Sequence, residues 1–284
     1  MVKITECPRD AMQGIKDFIP TDIKATYINL LLRVGFSRID FGSFVSHKAM
    51  PQMSDTADLV GKLDLSNTNS SLLAIIANLR GAKDAVDFDE ISVLGFPFSV
   101  SETFQLKNTN STITESLLRV EEISELCHQK SKIPLVYLSM GFGNPYGDEW
   151  DVEVILNYTN QLVSLGIKEF VLADTVGIAS VEKINDLYPH LKTEFPQCNW
   201  GIHLHSTPDT AYEKAKAAIA VGCDQIDSAL RGFGGCPMAS DDLTGNLATE
   251  TLLTALEATK TSHDVIDMNA WKEALNYSNK VFAN

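Results

Sequence analysis

Residues 200–205 read Trp200-Gly201-Ile202-His203-Leu204-His205, and an amphipathic pattern, Pro208–Val221, and a second apolar run, Gln225–Leu230, follow directly. A short β-rich run joined to the next through a helix makes the two strands parallel, because parallel neighbours need a crossover connection. The same unit recurs back along the whole chain. Candidate strands are Val2–Cys7, Ser37–Gly42, Leu72–Ala77, Glu90–Leu94, Pro134–Met140, Glu169–Ala173, Trp200–His205 and Gln225–Leu230. The helical patterns that follow them are Thr21–Val34, Met53–Leu63, Leu79–Val86, Thr112–Gln129, Val152–Leu165, Val181–Thr193, Pro208–Val221 and Leu247–Thr259. Eight such units without a linker predict an α/β fold, a closed (β/α)₈ TIM barrel in one domain over residues 1–284. The barrel is expected to end near residue 260, with a helical extension, Val265–Phe282, packed on its outside.

Local signals keep the same phase. Thr21, Thr112 and Ser180 are expected to cap the helices that follow them, each by accepting a hydrogen bond from a free backbone N–H. Gly35, Gly166 and Gly222 stand where a left-handed residue commonly ends a helix.

The chain has 284 residues, 44% hydrophobic and 21% charged, close to globular averages, and a barrel of this kind takes about 250. No apolar run approaches the roughly 20 residues that cross a membrane. The first residues read straight into a strand, so no signal peptide is expected, and the expected location is cytoplasmic. A net charge of −14 opposes non-specific binding to nucleic acid, although a local cation or metal can still hold a small anion. Five scattered cysteines suggest free thiols in a reducing compartment.

Active sites of such barrels lie at the C-terminal ends of the strands. Reactive residues collect there: Glu6-Cys7-Pro8-Arg9-Asp10 after the first strand, Asp40 and Ser43 after the second, Asp174 after the sixth, His203 and His205 on the seventh. Two residues apart on a strand, the histidines share one face with Cα atoms about 6.5–7 Å apart, a spacing that lets both imidazoles reach one ion. Arg9 and Asp10 both face the mouth only if the chain turns at Pro8. The stretch Arg231-Gly232-Phe233-Gly234-Gly235-Cys236-Pro237 suits a glycine-rich lid, and Cys236 in it suits a neutral acid, since about 3% of an unperturbed thiol is ionised at pH 7.

Together these residues resemble the 3-hydroxy-3-methylglutaryl-CoA lyases, within the metal-dependent barrels that also include isopropylmalate and homocitrate synthases. The likeness runs from Glu6-Cys7-Pro8-Arg9-Asp10 through Ser43-Phe44-Val45-Ser46, Asp174-Thr175-Val176-Gly177 and His203-Leu204-His205 to Gly245-Asn246-Leu247-Ala248-Thr249-Glu250. Gly232-Phe233-Gly234-Gly235-Cys236-Pro237-Met238-Ala239 resembles the lyases' own glycine loop, which separates them from the synthases.

The resemblance implies metal ligands at Asp10, His203, His205 and Asn246, and catalytic roles for Arg9, Asp40, Asp174, His203 and Cys236. It implies substrate-binding positions at Gln13, Lys16, Ser43 and Glu250. It also implies Mg²⁺ or Mn²⁺ as cofactor, with Zn²⁺ left open by the histidines, an acyl-CoA substrate cleaved to acetyl-CoA and acetoacetate, and a homodimer. On this reading Arg9 holds the enolate oxygen, His203 relays the hydroxyl proton and Cys236 protonates carbon.

The chain departs from the pattern at Asp40, where the family commonly has glutamate, and at Ser206-Thr207 in place of Asp-Thr. It departs again at Ala11-Met12 in place of Gly-Leu, and at the cysteine-free loop Gly141–Gly147. A Claisen-type synthase, a hydroxy-oxo-acid aldolase and a non-catalytic metal-binding barrel remain as alternatives.

Overall fold

The repeated units close on themselves. The computed structural model describes residues 1–234 and 244–282. Its strands β1 (Lys3–Glu6), β2 (Arg38–Ser43), β3 (Ser71–Ile75), β4 (Ile91–Ser99), β5 (Ile133–Ser139), β6 (Glu169–Ala173), β7 (Asn199–His203) and β8 (Gln225–Ser228) form a closed barrel in sequence order. Neighbours are parallel throughout, and β8 returns to β1 with Ile226 opposite Ile4. Alternation sorts the strand residues. Ile4, Ile39, Phe41, Phe170 and Ile202 belong to the main core beneath the helices, whereas Leu73, Val93, Leu135, Tyr137 and Val171 form a separate apolar cluster inside the barrel.

The helices are α1 (Pro8–Gln13), α2 (Thr21–Val34), α3 (Thr56–Val60), α4 (Leu79–Val86), α5 (Glu102–Thr109), α6 (Ile113–Gln129), α7 (Val152–Ser164), α8 (Val181–Glu194), α9 (Ala211–Ala220), α10 (Thr249–Thr259) and α11 (Met268–Val281). Thr112 closes a reciprocal capping box with Glu115, and Ser180 accepts from the Lys183 N–H, as expected. Thr21 does not cap α2. Pro20 occupies that position, and its carbonyl accepts the first backbone bonds from Ile23 and Lys24. Gly35, Gly166 and Gly222 have φ of +100°, +89° and +73°, the left-handed region expected of them.

Several elements differ from the sequence reading. Strand β4 continues past Leu94 to Ser99, because Phe96 and Phe98 extend the buried alternation across Gly95 and Pro97. Helix α5 was not expected; Ser101 caps it by accepting from the Phe104 N–H, while its mixed polar sequence shows little helical periodicity. The helix expected over Met53–Leu63 shrinks to α3 after a 3₁₀ turn at Pro51–Met53, since the chain unwinds through tight turns at Lys62 and Leu63. The strand expected over Trp200–His205 divides at Leu204. His205–Ser206 instead pairs antiparallel with Gly245–Asn246, which sets Asn246 directly opposite His205.

The C-terminal extension lies against α2. The Asp267 N–H donates to the Val34 carbonyl, Asp267 caps α11, and Trp271 meets Phe36 edge-on with ring centres 6.3 Å apart. Among the described residues no helix is long and apolar enough to cross a membrane.

Candidate active site

Pro8 does more than bend the chain. It takes the first position of α1, where its missing N–H is harmless and its fixed φ suits a helix. One helical turn at the end of β1 therefore brings Arg9, Asp10 and Gln13 to the barrel mouth together. The Arg9 guanidinium donates from Nε at 3.1 Å to both oxygens of Asp40 and from Nη2 to Asp40 Oδ2 at 2.6 Å. Its Nη1 reaches Gln13 Oε1 at 2.9 Å and Asp10 Oδ1 at 3.2 Å. Gln13 Nε2 donates in turn to Asp10 Oδ1 at 2.6 Å. A cation held on a planar fork by a carboxylate and an amide has little freedom left, so its direction is set before any ligand arrives.

Burial lifts the Asp40 carboxyl to about 6 against the pull of Arg9. For Asp10 burial acts the same way, but Arg9, His203 and His205 outweigh it and hold the carboxyl below its ordinary range. Arg9 is held protonated by Asp40 and Asp10 despite its burial.

The two histidines converge as the spacing predicted, with Nε2 atoms 3.2 Å apart. Ligand atoms of Asp10, His203 and His205 all lie within 4.8 Å of one another. Asn246 donates from Nδ2 to Asp10 Oδ2 at 2.6 Å and to the Phe233 carbonyl at 2.9 Å, and its Oδ1 is buried without a partner among the described residues. A carboxylate, two imidazoles and an unpaired amide oxygen, gathered in one place, fit a divalent cation. His203 Nδ1 lies 3.3 Å from Asp227 Oδ2, which leaves Nε2 as the ring's lone-pair nitrogen, the arrangement that orients metal-binding histidines. Asp227 raises the His203 pKa against the effect of burial, while burial and the neighbouring ring push His205 down to about 4.

The base of the glycine loop is clamped by two carboxylates. Glu6 accepts from the Leu230 N–H at 2.7 Å and from the Thr249 hydroxyl at 2.6 Å. Glu250 accepts from the next N–H, that of Arg231, at 2.9 Å. Arg231 itself sits at φ +61° and reaches α11, donating to Ser278 Oγ and the Leu275 carbonyl. Burial pushes Glu6 from 4.5 up to about 8.

Between those values the folded chain keeps a proton that the unfolded chain releases. Glu6 therefore lowers stability as pH rises from about 5 to 8, by up to about 1.4 kcal/mol per pH unit, and the slope ends above the folded value. Glu6→Gln is expected to remove that slope, read as a difference in unfolding free energy between wild type and variant across this range. Parallel pH profiles would refute it.

Gly234 lies where the chain crosses Asp10 and Asn246. Its φ is +97°, and a Cβ there would stand 2.6 Å from Asn246 Nδ2 and 2.8 Å from the Asp10 carbonyl oxygen. Gly234→Ala is expected to weaken Mn²⁺ binding about tenfold or more by displacing Asn246. Unchanged affinity in a Mn²⁺ titration would show that the contact does not matter.

A cleft of about 430 Å³ opens over these groups, lined by Arg9, Asp10, Gln13, His203 and His205 on its polar side and by Val45, Met50, Ile75, Pro97, Phe104 and Tyr137 on its apolar side. Several expected site residues lie elsewhere. Asp174 is buried, accepting from Lys214 Nζ at 2.9 Å and the Ala179 N–H, and Lys214 also holds the His205 carbonyl at 2.7 Å. Ser43 donates to the Ile75 carbonyl beneath the cleft, and Glu250 faces the loop base. Lys16 is exposed outside the cleft. Cys236 falls outside the described residues.

Sequence reading missed Asp227, Tyr137 and the rim residue Lys107, and placed Glu6 among the reactive residues after the first strand without giving it a part. For Asp227 a signal existed: alternation along Gln225–Leu230 puts it on the interior face, and it stands opposite His203 in register. Lys107 belongs to the unexpected helix α5.

A family model described as HMGL-like matches residues 2–277. The cytoplasmic 3-hydroxy-3-methylglutaryl-CoA lyase of Rattus norvegicus is 34% identical over 255 residues, which span 89% of this chain and 73% of the relative. Hydroxymethylglutaryl-CoA lyase YngG of Bacillus subtilis is 32% identical over 252 residues, 88% of this chain and 83% of the relative. Among solved structures, an HMG-CoA lyase from Acenitobacter baumannii in complex with coenzyme A and 3-methylmalate superposes with a TM-score of 0.91 at 29% identity, covering 100% of this chain and 92% of that one. The Brucella melitensis HMG-CoA lyase gives 0.90 at 25% identity, covering 100% and 99%.

Proposed function

Because the chain belongs to the HMGL-like family, we propose that it is a divalent-metal-dependent carbon–carbon lyase cleaving 3-hydroxy-3-methylglutaryl-CoA to acetyl-CoA and acetoacetate. The observation that carries this reading is the convergence of Asp10, His203 and His205 beneath a cleft that Arg9 also lines. Relatives named as lyases of this substrate, and a bound coenzyme A in one of their structures, support the thioester.

Asp10, His203, His205 and Asn246 would hold Mg²⁺ or Mn²⁺; mixed carboxylate, imidazole and amide donors suit both. A divalent ion there supplies Lewis acidity to the substrate's oxygens. Arg9, fixed by Asp40 and Gln13, faces the negative charge that grows on the thioester oxygen as the carbon–carbon bond breaks. His203, steadied at Nδ1 by Asp227, would present Nε2 to the cation, and the proton of the tertiary hydroxyl would leave through water in the cleft. Asp174 acts at one remove, through Lys214 and the His205 backbone. Tyr137 meets the His203 ring edge-on at 6.1 Å and closes the cleft's apolar wall, which excludes bulk water from the reacting atoms. Lys107 at the rim supplies a cation for the coenzyme's anionic portion. Cys236 protonates the carbon of the departing enolate, a role that rests on the family resemblance of its loop. The buried thiols of Cys7, Cys127, Cys198 and Cys223 are free, which fits a reducing compartment.

Cleavage in D₂O tests the reading. The acetyl-CoA formed should carry one deuterium in its methyl group, and acetoacetate should appear in equal amount. Consumption of acetyl-CoA with a 2-oxo acid instead would assign the chain to the synthases. Cys236→Ala is expected to keep its metal and lose most turnover, by about 10²-fold or more. Turnover like the wild type would remove the thiol from the mechanism.

A further inference from the structure

Behind the histidine pair lies a second group of donors that the proposed reaction does not fully use. Cys7 Sγ, His203 Nδ1 and a carboxylate oxygen of Asp227 all lie within 4.8 Å of one another. They come from three adjacent places in the barrel wall. Cys7 follows β1, Asp227 is on β8 and His203 on β7. Cys7 and Asp227 are each only 1% exposed. Asp227 turns Oδ2 toward His203, yet its Oδ1 is buried with no partner among the described residues.

An orphaned buried acceptor costs about 1–3 kcal/mol, and more when charged. Here a cation would relieve it. The thiol, too, is weakly engaged, with the Thr5 carbonyl 3.7 Å away. Thiolate, imidazole and carboxylate form a donor set that Zn²⁺ takes at about 2.0–2.3 Å and that Mg²⁺, which seeks oxygen ligands, does not.

We propose that Cys7, His203 and Asp227 form a second, inhibitory Zn²⁺ site, with the His203 ring shared between it and the Asp10–His203–His205 group. Filling it makes Zn–S, Zn–N and Zn–O bonds and releases two protons to solvent, one from the Cys7 thiol and one from His203 Nδ1. A second dication one imidazole ring away repels the cation that Asp10, His203 and His205 would hold, and so weakens the metal site on which the proposed reaction depends. The inhibitory half of this inference rests on the proposed reaction; the existence of the site does not.

The test uses metal-stripped full-length protein titrated with Co²⁺, whose thiolate complexes absorb in the near ultraviolet. Wild type and Cys236→Ser should each bind a second equivalent of Co²⁺ that brings in the thiolate band. Cys7→Ala should bind one equivalent and lack the band, with Cys7→Ser as a second variant and circular dichroism to show that both fold. In turnover supported by Mg²⁺, the Zn²⁺ concentration for half-inhibition should rise about tenfold or more in Cys7→Ala. A single Co²⁺ per wild-type chain overturns the site, as does a band that survives Cys7→Ala. A band lost in Cys236→Ser assigns the thiolate to the loop and overturns it equally. If no cleavage is detected at all, the cobalt titration still decides the site while the proposed reaction fails.

Discussion

Arg9→Gln is expected to lose about 10²–10³-fold in kcat while retaining its bound metal. The size of the effect follows from how the guanidinium is held. Asp40 grips Nε and Nη2, and Gln13 and Asp10 grip Nη1, so the cation keeps one orientation at the cleft wall. A fixed donor in a nearly water-free site stabilises developing charge without reorganising, which is where such groups contribute most. Lysine would keep the charge and lose the fork, so Arg9→Lys should recover little.

Removing Arg9 also strands the buried Asp40, and breaking a buried ion pair this way costs about 3–5 kcal/mol. Arg9→Gln combined with Asp40→Asn separates the two effects, since it removes the stranded charge and leaves the catalytic deficit. Steady-state kinetics beside thermal unfolding and elemental analysis read all three quantities. A kcat within threefold of wild type would show that Arg9 is structural.

His205→Ala should act on the metal itself. The ring contributes Nε2, 3.2 Å from that of His203, and stands opposite Asn246 in the short antiparallel pair that carries both. If His205 is a direct ligand, as proposed, its loss should reduce Mn²⁺ affinity by more than about 100-fold, beyond what substitution of a supporting residue typically does. Turnover should fall with it. Unchanged metal content in the purified variant would remove His205 from the ligand set.

The barrel was legible because each strand carries its own evidence. Apolar runs such as Glu169–Ala173 alternate with helices that end at Gly35, Gly166 and Gly222, and the chain needed no long-range information to reveal that order. His203 and His205 were legible for a similar reason, since a strand's two-residue period places both side chains on one face. Asn246 came only from resemblance. No local pattern shows that Gly245–Asn246 will pair with His205–Ser206 across the intervening residues 207–244.

Helix α5 was hidden because its polar sequence has almost no periodicity, although Ser101 before it is a good cap. Glu6 stands among the reactive residues after the first strand, but its part as a clamp of the loop base shows only once Leu230 and Thr249 are seen to donate to it. Asp174 illustrates the reverse difficulty. Its place at the end of β6 marks it as a site residue, but only packing shows that Lys214 occupies its carboxylate.

The most direct measurement is turnover of 3-hydroxy-3-methylglutaryl-CoA by protein stripped of metal and then resupplied. Stripped protein should form no acetyl-CoA or acetoacetate, and Mg²⁺ or Mn²⁺ should restore both in equal amounts, but not in His205→Ala. Cleavage that persists in stripped protein, or a resupplied wild type that leaves the thioester intact, would contradict the account.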